Sequence, residues 1–329
     1  MTARDTPGRM TARDTLGGMV AVLAVDGGQS GIRLRHSSAP RVVEAAGVSR
    51  AGDSVTAVAE TIATAWEASG FPPADRVVLG LTTAPVEPGE ADRLCALVAA
   101  GTRSPEVWLA DDTVTSHAGA LSGAPGVSLV VGTGVACLAV PGAGQARVFD
   151  GHGYLLGDEG GAFWIGRRAL GEVLRDRDRG RTSALSTRAA SRYGDLDGLA
   201  IRLHDSAGPV NEIAQFAREV LDAAADGDDV AGGILDDAAA RLLKTAIAAA
   251  EYLAATDPLD DAPLALGGRM LEAGSPLRTR LDALLAGHPG ILPRNADAEP
   301  IDGALLLGSA DSPGRYRALT HLWKDGAAA

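Results

Sequence analysis

Two stretches of the sequence share one pattern: an apolar run, a turn of small residues, and a second apolar run. The first is Val20–Arg35 (VAVLAVDGGQSGIRLR), and the second is Gly126–Val140 (GVSLVVGTGVACLAV), about one hundred residues later. Apolar runs of this kind predict strands, and a glycine-rich turn between two of them predicts a β-hairpin. The repetition therefore predicts a duplicated domain in which each copy begins with a β-hairpin.

The tips of both hairpins are suited to phosphate. A turn rich in glycine exposes several backbone N–H groups, and such a concavity accepts phosphate oxygens. In the first hairpin the strand ends at Asp26, whose carboxylate is a ligand type that magnesium accepts. Asp-Gly-Gly is also an ordinary hairpin turn. The second copy, Gly132–Gly134, favours the phosphate interpretation, because two tips that face one cleft can hold one polyphosphate from two sides.

Between the two hairpins, predicted strands and helices alternate. Asp53 or Ser54 is expected to cap a helix with apolar residues at three- and four-residue spacing. The later strand Glu106–Ala110 runs directly into Asp111 and Asp112. Alternating strands and helices indicate an α/β fold, in which ligands bind at the carboxyl ends of the strands. If both aspartates lie on a strand, only one of them faces the cleft, and we expect this to be Asp112.

A third candidate region is the glycine-rich segment Gly151–Leu170 (GHGYLLGDEGGAFWIGRRAL). Five of the eleven residues from Gly151 to Gly161 are glycine, which lets a ligand approach the backbone closely. The acidic pair Asp158 and Glu159 also suits the positive end of the helix that follows. Farther along, small residues at Pro263–Gly268 and Pro300–Gly308 fit either a slot for a flat ring or plain helix–strand packing.

Composition excludes several classes of protein. The 329 residues favour two domains, and 46% apolar with 22% charged residues is typical of a globular protein. A net charge of −12 argues against a nucleic-acid-binding face. No apolar run reaches the length of a membrane span. Cys95 and Cys137 are too few for a disulfide framework and are expected to be buried, so a cytoplasmic location is predicted.

Residues 1–19 are interpreted as a disordered tail or a misplaced start, because MTARDT occurs at Met1–Thr6 and again at Met10–Thr15. They are not expected to belong to the fold.

From Val20 to Gly308 the chain resembles the actin-like ATPase superfamily of sugar kinases, heat-shock ATPases and actin. It is most similar to the BadF/BadG/BcrA/BcrD ATPase family, in the branch that contains N-acetylglucosamine kinases. The motifs that carry the resemblance are DGGQSGIR at Asp26, GTGVACL at Gly132, GHGYLLGDEGGAFWIG at Gly151 and LGG at Leu266. The resemblance implies duplicated actin-like (ribonuclease H-like) α/β domains at 20–117 and 118–308 around a nucleotide and sugar cleft, followed by a C-terminal helix and tail at 309–329.

The resemblance also implies roles for individual residues. Asp112 falls where the family has its catalytic base, and Asp26 is the expected ligand of Mg²⁺. The expected ATP-binding residues are Gly27, Gly28, Gln29, Ser30, Gly132, Thr133, Gly134, Gly267, Gly268 and Gly303. The expected sugar-binding residues are Asp112, Gly151, His152, Gly153, Asp158 and Glu159.

The implied activity is ATP-dependent phosphorylation of the 6-hydroxyl of an amino sugar, with N-acetylglucosamine first and glucosamine or another hexosamine as alternatives. The partner is then a small-molecule sugar, and a homodimer is compatible with the resemblance. Gln29, Gly31 and His152 depart from the family pattern, which leaves the identity of the sugar open. Two other classes also stay open: an ATPase activator subunit with a cysteine-ligated cluster, and a non-catalytic sugar sensor.

Overall fold

The computed structural model describes residues 20–28, 31–48, 53–82, 84–256 and 261–326. The predictions made for residues 1–19 and for Gln29 and Ser30 lie outside the described residues.

The strands are β1 (Val22–Gly27), β2 (Ile32–His36), β3 (Val42–Ala45), β4 (Arg76–Leu81), β5 (Glu106–Ala110), β6 (Gly126–Val131), β7 (Val135–Val140), β8 (Arg147–Phe149), β9 (Ala262–Gly267), β10 (Ile291–Asn295) and β11 (Thr320–Lys324). The helices are α1 (Ser54–Ser69), α2 (Pro88–Thr102), α3 (Asp112–Ala120), α4 (Ala162–Asp178), α5 (Ala184–Tyr193), α6 (Leu199–Asp205), α7 (Pro209–Gln215), α8 (Ala217–Ala225), α9 (Asp229–Thr256), α10 (Pro276–Leu285) and α11 (Pro300–Gly308).

The strands form two sheets with the same internal order. The first sheet runs β3-β2-β1-β4-β5, with β11 added beyond β5, and the second runs β8-β7-β6-β9-β10. The two hairpins, β1–β2 and β6–β7, are antiparallel. The first strand of each hairpin also pairs in parallel with another strand of its sheet, β1 with β4 and β6 with β9. We call the half built on the first sheet the N-terminal lobe and the half built on the second sheet the C-terminal lobe. The predicted duplicated α/β fold, with one hairpin opening each half, is confirmed.

Local sequence explains several element boundaries. Asp53 caps α1 by accepting a hydrogen bond from the Thr56 N–H, and Gly70 ends the helix with φ +67°. Helix α4 continues through a charged last turn to Asp178. The charged residues there form an exposed helical end, held in part by the ion pair of Arg175 with Glu172.

Helices α3 and α11 pack so closely that neither has room for side chains at the contact. A Cβ atom on Gly303 of α11 would lie 2.0 Å from the Thr115 carbonyl oxygen, and one on Gly119 of α3 would lie 2.4 Å from the Glu299 carbonyl oxygen. At the end of α11, Gly308 lies against Val22 and Val78 of the first sheet. Helix α11 thus follows the last strand of the second sheet and packs against the first.

A hydrophobic core shared by both lobes surrounds this helix pair. It contains Val114 of α3 and Ile301 of α11, together with residues of both sheets such as Trp108 and Leu138. Beyond α11 the chain returns to the edge of the first sheet, where β11 pairs antiparallel with β5. In the part of the chain that the structure describes, no helix combines the length and the apolarity that a bilayer crossing requires.

The close approach of α3 and α11 predicts a stability effect at Gly303. Replacing Gly303 by Ala should lower the free energy of unfolding by about 1–3 kcal/mol, because the new methyl group meets backbone atoms that cannot move aside. Gly89→Ala in α2 is the control, since nothing lies within 4 Å of its Cβ position. Urea denaturation measures both variants, and equal stabilities would contradict the packing argument.

Candidate functional site

A cleft of about 940 Å³ lies where the carboxyl ends of the two sheets' parallel strands meet. Parallel pairing places the ends of β1, β4 and β5 at one edge of the first sheet, and those of β6, β9 and β10 at one edge of the second. Residues at or just after these strand ends line the cleft, among them Asp26, Gly27, Gly28, Thr82, Asp112, Val130, Gly267, Gly268 and Asn295. The cleft therefore collects side chains from both lobes.

The two adjacent aspartates lie at the start of α3 and not on β5, so the strand argument for their orientation was wrong. Asp111 is the N-cap, and its carboxylate accepts a hydrogen bond from the Thr113 N–H at 3.0 Å. Asp112 is the first helical residue, and it lines the cleft. The helix start separates the two carboxylates: one satisfies a backbone donor, and the other faces the cleft.

Asp112 is linked to the first hairpin through Thr82, the residue that follows β4. The Thr82 hydroxyl donates to Oδ2 of Asp112 at 2.8 Å, and the Thr82 N–H donates to the Gly27 carbonyl at 3.0 Å. Gly28 lies so near that a Cβ there would meet the Thr82 hydroxyl at 2.6 Å. One threonine thus fixes the position of the candidate base relative to the candidate phosphate loop.

The environment of Asp112 favours its protonated form. Desolvation by burial and then repulsion by Asp111 raise its pKa to about 7, while the hydrogen bond from Thr82 acts in the opposite direction. A carboxyl with such a pKa accepts a proton near neutral pH far better than an ordinary aspartate does. Asp112 is therefore the candidate general base of the cleft.

Asp26, the predicted metal ligand, is paired with Arg33, its cross-strand neighbour on β2. Nε and Nη2 of Arg33 donate to Oδ2 of Asp26 at 3.0 and 2.5 Å, and Nη1 donates to Glu299 at 2.8 Å. In the described residues, both hydrogen bonds to the Asp26 side chain fall on that one oxygen. No group of three His, Cys, Asp or Glu residues able to hold a metal ion occurs in the same residues.

These residues fit Mg²⁺ nonetheless. This ion keeps several water ligands and needs only one or two carboxylates together with the substrate's phosphates. Asp26 supplies one carboxylate that lines the cleft, and it is close enough to Asp112 to contribute to the raised pKa of that residue.

The tip of the second hairpin is bound to the start of α4. The carbonyls of Gly132 and Thr133 accept hydrogen bonds from the N–H groups of Ala162 and Phe163, at 2.9 and 3.0 Å. The tip does not itself line the cleft, although Val130 of the same strand does. These N–H groups of the helix start are therefore already paired with the hairpin tip.

Asp158 connects the glycine-rich segment to this second hairpin. Its Oδ1 accepts a hydrogen bond from the Val135 N–H at 3.2 Å, and a Cβ on Gly134 would lie 2.4 Å from its Oδ2. Its own N–H donates to Asp150 at 2.9 Å, and its backbone has φ +56°. Burial raises the pKa of Asp158. Asp158 therefore stabilises the second hairpin.

The remaining predicted sugar-binding residues lie beside Asp158. Gly151 and Gly153 have φ values of +72° and +77°, which shape the exposed loop that carries His152. Glu159 forms an ion pair with Arg241 of α9 at 2.5 Å. None of these four residues is among those lining the described part of the cleft.

The last three glycines predicted to bind ATP, Gly267, Gly268 and Gly303, occupy different positions. Gly267 and Gly268 line the cleft, and a Cβ on Gly268 would lie 2.3 Å from the Val131 carbonyl oxygen, so only glycine fits there. Gly303 lies inside the contact between α11 and α3, and Glu299 and Pro300 near the start of the same helix line the cleft.

Several residues that line the cleft were not predicted from the sequence, among them Thr82, Glu299 and Arg269. Thr82 could have been found, since it directly follows a predicted strand. Glu299 and Arg269 follow no pattern that marks a site, and only the assembly of the two lobes brings them to the cleft. The cysteines are as expected: Cys95 and Cys137 are free and buried, on α2 and β7. Burial raises the pKa of the Cys95 thiol to about 12.

A two-lobed α/β fold with a carboxylate and glycine turns in its cleft is the architecture of the actin-like phosphotransferases. The model of the BadF/BadG/BcrA/BcrD ATPase family matches residues 17–308, so the chain belongs to that family and the resemblance seen in the motifs is confirmed. Membership in an ATPase family supports the use of ATP.

Individual relatives agree with this assignment. The chain is 30% identical over 158 residues to the N-acetylmuramic acid/N-acetylglucosamine kinase of Clostridium acetobutylicum, a match covering 45% of this chain and 49% of that protein. The chain thus matches about half the length of this curated relative.

Solved structures resemble the chain over most of its length. The putative N-acetylglucosamine kinase of Chromobacterium violaceum has a TM-score of 0.67 and 26% identity, covering 89% of this chain and 99% of that one. The ROK family glucokinase of Streptomyces griseus, in complex with glucose and AMPPNP, has a TM-score of 0.52 and 17% identity, covering 88% and 98%. The second likeness shows the fold alone.

The raised pKa of Asp112 predicts how stability depends on pH. The folded state holds this proton more tightly than the unfolded chain, whose carboxyl has a pKa of about 4. Stability is therefore lost as the pH rises from about 4 to about 7. Asp112→Asn mimics the neutral form, so its free energy of unfolding should exceed that of the wild type by about 1–3 kcal/mol at about pH 8, a range that allows for solvent screening.

Urea denaturation at about pH 5 and about pH 8 measures this difference, which should shrink at the lower pH. Asp111→Asn should raise the free energy of unfolding by a smaller amount, because it removes only the repulsion between the two carboxylates. A difference between Asp112→Asn and wild type that does not change with pH would contradict the assignment.

Proposed function

We propose that the protein is a sugar kinase that transfers the γ-phosphoryl group of ATP to the 6-hydroxyl of an amino sugar, with N-acetylglucosamine as the first candidate. Glucosamine and other hexosamines are the alternative acceptors. The observation that carries the proposal is Asp112: a cleft carboxyl with a pKa near neutrality, connected by Thr82 to the glycine turn after Asp26.

In the proposed reaction Asp112 accepts the proton of the sugar hydroxyl as that oxygen attacks phosphorus. Positioned proton transfer of this kind contributes about 10²–10⁴-fold to the rate. The rest of the acceleration comes from alignment of the reactants and from neutralisation of phosphate charge. The first candidates for that purpose are the N–H groups of the turn around Gly28, which lines the cleft. The tip at Gly132–Gly134 would contribute only if the phosphates reach beyond the described lining of the cleft. When bound, Mg²⁺ would supply further neutralisation, and Asp26 is the residue to hold it.

The family resemblance is what connects the glycine-rich segment with the acceptor sugar, since its predicted residues lie outside the described lining of the cleft. Asp158 is fixed by the Val135 N–H and by Asp150, so it keeps one orientation at the base of the exposed loop of Gly151–Gly153. We assign Asp158 and this loop to the sugar, with His152 as the residue that sets which sugar is accepted. Glu159 is tied to Arg241 and would have to leave that ion pair to contact a ligand.

The two other classes are less well supported. An activator subunit needs cysteine ligands for a cluster, yet Cys95 and Cys137 are buried in different lobes. A sugar sensor without catalysis has no need of a cleft carboxyl with a raised pKa.

The deciding experiment measures ADP release with ATP and magnesium, first alone and then with a panel of N-acetylglucosamine, glucosamine, N-acetylmannosamine and glucose. A kinase releases ADP only with an acceptor, and we expect the N-acetylated amino sugars to give the highest kcat/KM. Release without sugar would indicate an activator, and no release with any sugar would favour a sensor.

We expect Asp112→Asn to lower kcat by at least about 10²-fold while the affinity for nucleotide changes little, because the general base is lost and the phosphate contacts remain. Asp111→Asn is the matched control: it should stay active, with the acidic limb of its pH–rate profile shifted to lower pH. Undiminished turnover by Asp112→Asn would remove Asp112 as the base.

A further inference from the structure

The charges that line the cleft are poorly matched to a triphosphate. The lining residues in the described part of the chain include five carboxyls (Asp26, Glu44, Asp112, Glu272 and Glu299) and two guanidinium groups (Arg33 and Arg269). ATP carries several negative charges on its phosphates. An acidic cleft binds such a ligand only if a cation is placed where the phosphates lie.

Of the two guanidinium groups that line the described part of the cleft, Arg33 is the one that lies on the first hairpin. It lies on β2 opposite Asp26 of β1 and Glu44 of β3, in register with both. Cross-strand neighbours share one face of a sheet, so Arg33 has an acidic residue on each adjacent strand. Gly28 and Gly31, on either side of the turn, line the same cleft and are joined by a backbone hydrogen bond of 3.0 Å.

The partners of Arg33 are groups that a phosphate can replace. It donates two hydrogen bonds to Asp26 and one to Glu299, and its side chain remains 30% exposed. Glu299 is more exposed still, at 66%, and ion pairs with such exposure are worth little in water. A planar guanidinium presents paired donors that match phosphate oxygens as well as carboxylate oxygens.

We propose that Arg33 binds the polyphosphate of the nucleotide, leaving Glu299 when ATP enters the cleft. This inference rests on the proposed function only for the presence of ATP in the cleft, not for the identity of the sugar. The hydrogen bond donated by Nη1 then passes from the Glu299 carboxylate to a phosphate oxygen. It also weakens the hold of Arg33 on Oδ2 of Asp26 and so frees the carboxylate that we assign to magnesium.

Arg35 provides a matched control. It lies two residues farther along β2, has the same side-chain exposure of 29%, and pairs with Asp302, three residues after Glu299. Both arginines therefore connect β2 to the start of α11, and only Arg33 lines the cleft. If Arg33 acts merely by holding α11, the two arginines should be equivalent.

The test is calorimetric titration of the full chain with ATP and magnesium, with AMP, and with N-acetylglucosamine. Arg33→Gln should weaken the binding of ATP about tenfold or more, because a charged hydrogen bond to phosphate is lost. The same variant should change the affinity for AMP and for the sugar by less than about twofold. Arg33→Lys should retain part of the affinity for ATP. Arg35→Gln should change ATP binding by less than about twofold.

Glu299→Gln gives a result of opposite sign. It removes the competitor of Arg33 and one negative charge, so ATP should bind as tightly as to wild type or several-fold more tightly. Weaker ATP binding by this variant, or equal losses in Arg33→Gln and Arg35→Gln, would overturn the proposal; the Glu299→Gln result stands even if Arg33→Gln fails to fold. Wild-type protein that binds no ATP would overturn both this inference and the proposed function. Wild-type protein that binds ATP but phosphorylates no sugar would end the kinase proposal and leave the test of Arg33 valid.

Discussion

The parallel pairing of strands within each sheet is the constraint on which the site depends. Parallel strands bring their carboxyl ends to one edge, so the residues after β1, β4 and β5 must be neighbours. The hydrogen bonds that Thr82 makes with Asp112 and with the Gly27 backbone are a direct consequence. The second sheet repeats the arrangement, and the cleft forms where the two edges meet.

Glycine is required where backbone segments make close contact around the cleft. Gly303 and Gly119 allow α11 and α3 to touch backbone to backbone, and Gly268 allows the turn after β9 to lie against the Val131 carbonyl. These contacts fix the position of Asp112 at the start of α3, and of Glu299 before α11, relative to both sheets. Packing between helices thus decides which acidic residues share the cleft.

Much of the fold was predictable because its signals are local. Apolar runs separated by glycine turns marked both hairpins, and Asp53 marked the start of α1. The error about the two aspartates has a physical reason as well. Asp111 satisfies the free N–H groups of a helix start, which the strand pattern of Glu106–Ala110 did not reveal.

The sequence by itself determined the duplicated α/β fold, the family, and the positions of the glycine turns and of Asp112, since each follows from residues adjacent in the chain. Only the tertiary structure decided which charges meet. Arg33 and Glu299 lie 266 residues apart, and they pair because α11 returns to the first sheet. The raised pKa of Asp112 is likewise a property of its surroundings, because burial and a neighbouring charge depend on packing that no local pattern encodes.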